Sequence, residues 1–331
     1  MEEKKYKRLS RKERIIIETL LGENRSKSFI AVKLNRSRST ITREVNKWVQ
    51  NPGEKYIAEL ADWCAKDDYL NKRTNNKIGT HKRLRFYVYR GLLKDWSPEQ
   101  ISGRIKLEYP NDPIMSISHE AIYMHIYSHP QVRINRKLIE LLPYHKSRRR
   151  SLKGTKKRGV RIKDQVSIDL RPKHIEKRQE IGHWEGDLMI GRKQASAIGT
   201  LVERKSRFTY IVKLKNRRSA TVTKGFAKEL NKLDHTFLKT MTYDNGLEMA
   251  QHKTLTKQTG MQVYFAHPYS SWERGTNENT NGLIRRYFPK GTNFNDISEV
   301  KLKTVQEKLN NRPRKVLKFK TPHEVMALEH S

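Results

Sequence analysis

Three carboxylates in the second half of the chain have the types and surroundings for phosphodiester chemistry: Asp187 in HWEGDLMIG, Asp244 in TYDNGLE and Glu278 in TNENTN. Two bare carboxylates about 4 Å apart repel by roughly 4 kcal/mol at an effective dielectric of about 20. A divalent cation resolves that repulsion. An all-oxygen set suits magnesium, which works in pairs on phosphodiesters and for which manganese can substitute. Each acid also has a plainer use: Asp187 as the partner of a surface base, Asp244 as an Asx-turn residue, Glu278 as a charge favouring a helix dipole. Rival acids lie close by. Glu185 shares the strand face of Asp187, and Glu248 and Glu273 neighbour the other two, so spacing leaves the choice open.

The elements that would have to bring these acids together are legible as periodicity. HWEGDLMIG, SAIGTLVER and RFTYIVKLK are short apolar or alternating segments separated by turns, the pattern of a three-stranded antiparallel meander. A helix over 219–233, a strand LKTMTYDNG, a helix near 249–259 and a strand MQVYFA follow. Next comes a helix whose apolar residues at 283, 284, 287 and 288 place its start near Glu278. The pattern predicts an α/β domain with a mixed five-stranded sheet and flanking helices. In such sheets functional groups collect at strand ends. Asn245-Gly246 would supply a turn that leaves Asp244 exposed.

The partner is suggested by charge. Lys and Arg total 70 against 35 Asp and Glu in 331 residues, a formal charge of +35 spread along the chain. A polyanion is the simplest reason to tolerate that self-repulsion. There is no run of about 18 apolar residues and no apolar centre in MEEKKYKRLSRKER, so a soluble, cytoplasmic protein without membrane contact is expected. The single cysteine, Cys64, excludes intrachain disulfides and Cys-x-x-Cys zinc sites.

Residues 10–48 break into three helices, opened by a Ser10–Glu13 capping box, by Ser26 or Ser28, and by Ser37. The last two form a helix-turn-helix. Arg38, Ser39, Thr40, Thr42 and Arg43, off the apolar stripe, with Arg36 and Lys47, are the candidate contacts to phosphates and base edges. Ser97-Pro98-Glu99-Gln100 opens a second such unit, completed by Ser118 and HEAIYMHIY. His119 and His125, six apart, fall on different helix faces and do not have zinc-protease spacing. From Lys146 to Lys163 there are ten basic residues and no acid, including Arg148, Arg149 and Arg150, the composition of an arm that orders on nucleic acid.

The segments HWEGDLMIG, TYDNGLE, YFAHPYSSWERGTNENTNGLIRRYFPKGT and NNRPRKVLKFKTPHEV closely resemble the insertion-sequence-thirty family of bacterial DDE transposases, and the two helix-turn-helix units stand in the family's order. The resemblance implies a ribonuclease-H-like catalytic domain whose triad falls on Asp187, Asp244 and Glu278. It further implies binding of the element's terminal inverted repeats, hydrolytic nicking at 3′ ends, and joining to target DNA by transesterification. The chain departs from the usual pattern at Ser271 and Met249, neither a triad position.

Asn277, Asn279 and Asn281 are then expected to orient Glu278 or touch DNA around it, with Asn245 also supporting the acids, and Arg285, Arg286 and Lys290 to hold phosphates. Trp272 is open between packing and stacking on an unpaired base, with packing favoured. Holding two element ends together calls for at least a dimer. The rival functions are a non-catalytic DNA-binding regulator and a structure-specific nuclease. The expected organisation is a first helix-turn-helix domain at 1–50, a helical connector at 51–90, a second helix-turn-helix domain at 91–145, a basic linker at 146–178, the catalytic domain at 179–300 and a helical extension at 301–331.

Overall fold

Serine caps punctuate the first part of the chain. Ser10 accepts from the Glu13 amide and Glu13 reaches back to Ser10, opening α1 (Arg11–Gly22); Ser26 caps α2 (Lys27–Lys33) and Ser37 caps α3 (Arg38–Trp48). The computed structural model describes residues 8–49, 54–70, 76–127, 162–192, 196–268 and 270–329. Its contacts divide the chain into two units, Met1–His145 and Lys146–Ser331.

In the first unit α2 and α3 are joined through Asn35, at φ 48°, a left-handed position that asparagine tolerates. The helices α4 (Ala58–Leu70), α5 (Lys77–Thr80), α6 (Lys82–Leu93), α7 (Pro98–Glu108) and α8 (His119–Tyr127) follow. A Ser97–Gln100 capping box with proline in the first turn starts α7. Buried apolar residues from Ile17 to Ile126 form one continuous core, in which Trp48 of α3 stacks on Phe86 of α6 with centroids 6.2 Å apart. The connecting helices thus share a core with α1–α3 and with α7 and α8. His125 is buried, its Nε2 2.7 Å from the Tyr89 hydroxyl.

The second unit contains a five-stranded sheet of β1 (His183–Ile190), β2 (Ala197–Glu203), β3 (Thr209–Leu214), β4 (Thr240–Tyr243) and β5 (Gln262–Phe265), in the order β3-β2-β1-β4-β5. The first three strands are an antiparallel meander, while β4 and β5 run parallel to β1. One face carries Trp184, Leu201 and Tyr243 against Phe226 of α9 (Ser219–Leu230), with α10 (His252–Thr259) beside it. The other packs Met189, Ile198 and Ile211 against Ile284 of α11 (Gly275–Ile284) and Leu302, Val305 and Leu309 of α12 (Glu299–Asn310).

The edge strand β3 is closed by side chains of α12. Gln306 accepts from the Ile211 amide at 2.9 Å, and Asn310 both accepts from the Thr209 amide and donates to its carbonyl, each at 2.9 Å. Amides thereby satisfy backbone groups that an exposed edge would offer to another chain. A last helix, α13 (Pro322–Leu328), begins with a Thr321–Glu324 capping box. No described helix is long and apolar enough to cross a membrane.

Candidate active site

Sheet register is what brings the first two acids together. His183, Trp184 and Glu185 of β1 lie opposite Thr240, Met241 and Thr242 of β4. Asp187 and Asp244 each stand two residues beyond Glu185 and Thr242, the last pair of that ladder, and so on one face of the sheet. Gly186 permits this pairing, since a Cβ there would lie 2.5 Å from the ring of Tyr243, the residue before Asp244. The two acids then point to the face covered by α11.

A guanidinium stands between them. Arg274 Nη1 lies 3.4 Å from Asp187 Oδ1 and donates to the Gly186 carbonyl at 3.3 Å, while Nη2 donates to Asp244 Oδ2 at 3.3 Å. Burial pushes the Asp187 carboxyl up to about 6; Arg274 pulls it down and Asp244 pushes it further up. Asn281 donates to Asp187 Oδ2 at 2.7 Å. Arg274 precedes α11, and positions 274, 278 and 281 fall on one stripe of the helix, whose first and last members contact Asp187. Glu278 itself is exposed.

The helix that carries Glu278 begins at Gly275 without a side-chain cap and ends at Ile284. TNENTN is therefore helix interior, and positions 287 and 288 lie beyond its end. The asparagines have separate tasks. Asn277, fully buried, donates its amide N–H to Glu185 Oε2 at 2.9 Å and its Nδ2 to the Glu185 and Thr200 carbonyls at 2.9 and 3.3 Å. It riveted α11 to β1 and β2 in the fold, while Asn281 contacts Asp187. Asn245 accepts from Gln165 at 2.8 Å and donates to the Ala266 carbonyl at 2.6 Å, bracing the loop after β4.

Two rival acids are engaged elsewhere. Glu185 is fully buried and ion-paired to Arg204 at 3.1 Å. Glu273 takes the His267 amide and Nδ1, each at 2.8 Å, locking the turn before α11. Glu248 stays in the field of Asp244; burial and that charge raise its carboxyl pKa.

The Asp187–Asp244 pair fits a divalent cation on two grounds: both donors are carboxylates, and a cation already lies between them. His174, Glu180 and His183 form a separate group with ligand atoms within 4.8 Å of one another. There both imidazole Nε2 atoms meet Glu180 Oε1, at 3.0 and 2.7 Å, and Lys239 takes the other oxygen at 2.9 Å.

Residues 177–271 match the integrase core domain family, and residues 5–47 match a helix-turn-helix domain family. The chain is 40% identical over 325 residues to the transposase for insertion sequence element IS1086 of Cupriavidus metallidurans, covering 98% of this chain and 95% of that one. It is also 40% identical over 322 residues to the transposase InsI for element IS30A of Escherichia coli, covering 96% and 83%. A third relative, the transposase for element IS4351 of Bacteroides fragilis, is 36% identical over 319 residues, covering 96% and 95%. The chain belongs to the IS30 family of insertion-sequence transposases. It is an enzyme with an integrase core, a class that uses divalent metal, and with a DNA-binding helix-turn-helix domain.

On the DNA-binding half of this transposase, Arg38, Ser39 and Arg43 are exposed on α3, and Arg43 Nε donates to the Ser39 carbonyl at 3.2 Å. Thr40 is tied to the cap, its hydroxyl 2.7 Å from that of Ser37, and Thr42 is half-buried. Lys47 lies over the Trp48 ring at 4.3 Å. Arg36 does not simply face solvent: its Nε pairs with Glu13 Oε1 at 2.8 Å, tying the α2–α3 turn to α1. Arg148, Arg149 and Arg150 lie outside the described residues.

On the catalytic half, Arg285 donates to the Ile190 carbonyl at 3.1 Å and lies over Phe294 at 6.0 Å; Arg286 is half-buried and Lys290 exposed. The packing favoured for Trp272 is overturned, because this residue, two before Arg274, is 72% exposed. Sequence reasoning missed Arg274 altogether. The signal available was its position four residues before Glu278, a helical neighbour.

Proposed function

We propose that this transposase recognises the terminal inverted repeats of its own element, nicks their 3′ ends by hydrolysis and joins them to target DNA by transesterification. Asp187, Asp244 and Glu278 hold the metal, two magnesium ions per site with manganese able to substitute. When bound, the metal activates the attacking oxygen and stabilises the leaving one. The observation that carries this reading is the convergence of Asp187 and Asp244 on one guanidinium, that of Arg274 at the start of the helix of Glu278.

The chain's own residues do the positioning. Asn281 fixes one oxygen of Asp187, Asn277 seats α11 on the sheet, and Asn245 steadies the loop that presents Asp244. In-line attack by water or a 3′ hydroxyl requires no covalent enzyme intermediate, so no Ser, Cys or Tyr nucleophile is needed. Arg38, Ser39 and Arg43 on α3 read the repeat, and Arg285, Arg286 and Lys290 hold phosphates near the acids. Trp272, exposed two residues before Arg274, stacks on an unpaired base. Two ends joined in one event call for at least a dimer, working in the bacterial cytoplasm.

Asp187→Asn, Asp244→Asn and Glu278→Gln each remove several kcal/mol of charge stabilisation. Cleavage and joining of labelled element ends should therefore fall by about 10³-fold or more. End binding in a gel-shift assay should stay near wild type. Cleavage that persists in the triple variant rejects the assignment.

A further inference from the structure

We infer that Arg274 is a gate on the catalytic acids: its guanidinium and the divalent cation compete for Asp187 and Asp244, and a DNA phosphate draws the arginine off. The inference rests on the metal-binding reading of those two acids proposed above.

Three features of Arg274 set it apart from a structural ion pair. It bridges both carboxylates, at 3.4 and 3.3 Å, from a side chain only 14% exposed, so its charge fills the space between them. A dication held by the same two acids would have this guanidinium within a few ångströms, and like charges that close repel. One of the two must leave.

The present arrangement also leaves the arginine unsatisfied. Its Nε is buried without a hydrogen-bond acceptor, and the three contacts it makes are all longer than the usual range for charged pairs. A phosphate offers a better match, since its oxygens accept two parallel N–H bonds from the planar fork.

Arg274 sits at the N-terminal end of α11, next to Gly275, which has no side chain to hinder it. The preceding Trp272 is exposed, so the approach to this helix end lies open on that side. DNA arriving there brings phosphates to the arginine and, by releasing the acids, raises their affinity for metal. Thermodynamic reciprocity then requires metal to raise affinity for DNA by the same factor. The transposase would load metal fully only when it holds substrate.

The test is manganese binding by the full-length protein, followed through the paramagnetic resonance of free Mn²⁺, with and without a short duplex of the element's end. Binding to the duplex alone is subtracted. Wild type should bind Mn²⁺ about tenfold or more tightly with DNA present, within the usual range of coupling between sites. Arg274→Gln should bind tightly without DNA and lose most of the DNA-dependent gain. Arg274→Lys, with a single ammonium that cannot fork across both acids, should lie between them.

Equal wild-type affinity with and without DNA overturns the gate without recourse to any variant. So does Arg274→Gln with unchanged affinity while Asp187→Asn and Asp244→Asn lose theirs, a result that leaves the metal site standing. If Asp187→Asn and Asp244→Asn bind Mn²⁺ as wild type does, the metal-site reading itself has failed.

Discussion

Two arginines in this chain each stand between two carboxylates, and they are built in opposite ways. In the helical unit, Arg14 reaches Glu44 at 2.7 Å, Asp62 at 3.1 Å and the Leu9 carbonyl at 2.8 Å, with its side chain 8% exposed. Glu44 is further satisfied by the Trp48 indole and the Tyr56 hydroxyl, each at 3.1 Å. In the catalytic unit, Arg274 makes only longer contacts and keeps one buried nitrogen without an acceptor. Its acids remain a quarter to a third exposed, at 27% for Asp187 and 37% for Asp244. A saturated buried network specifies a fold, whereas an unsaturated one beside solvent is poised to exchange partners.

The contrast breaks most directly at Arg14. Arg14→Ala removes the cation that Glu44 and Asp62 share in the core where α1, α3 and α4 meet, leaving Glu44 to Trp48 and Tyr56 and Asp62 to Lys66, and removing one partner of a buried pair costs about 3–5 kcal/mol. Urea denaturation of the full chain should show a loss of that size. Arg274→Gln, in contrast, should leave the midpoint near wild type, because its partners keep access to water. Equal losses in the two variants would mean that both arginines are structural.

Two tryptophans sharpen the same distinction. Trp48 is 1% exposed and stacks on Phe86 in the core; Trp272, two residues before Arg274, is 72% exposed. Stacking of a base on an aromatic side chain contributes about 1–3 kcal/mol. Trp272→Ala should therefore weaken binding of a frayed or nicked element end by about that amount, measured by fluorescence anisotropy, with thermal stability unchanged. Equal binding of frayed and fully paired ends by wild type and variant alike would remove the stacking role.

What could be read in advance follows the range of the interactions involved. The strands and helices of the catalytic unit are legible because alternation and caps are local signals, and β1 through β5 fall within the segments that pattern marks out. The start of α11 is not legible, because no side chain caps it and Gly275 opens it. Asn277 and Asn281, adjacent to Glu278 in the sequence, contact Glu185, Thr200 and Asp187 across the sheet. Proximity in sequence pointed to Glu278 as the acid they serve, and these contacts across the sheet carry no local signal. Arg36 has a partner that no local pattern announces, since Glu13 lies 23 residues before it in the sequence. Arg274 requires the register of β1 on β4, a tertiary fact that no local pattern carries.

The carboxylate of the Arg36–Glu13 pair, 20% exposed, lies between those of the two arginine bridges, and this pair gives the smallest and most specific effect. Burial pushes the Glu13 carboxyl up, but hydrogen bonds from Arg36 and from the Ser10 amide and hydroxyl outweigh it and pull the group down to about 2 from an ordinary 4.5. A carboxyl held low in the folded state stabilises the fold above its unfolded pKa. That contribution is lost as pH falls from about 4.5 towards about 2. Glu13→Gln keeps the shape of the capping box and removes the charge. Hydrogen exchange of the α1 amides in the full chain, compared at each pH between variant and wild type, should show faster opening in the variant at pH 7 and convergence as the pH approaches 2. A difference that stays constant across that interval would assign the pair's stability to packing and hydrogen bonding, with no share for its charge, and would place it with neither of the two arginine bridges.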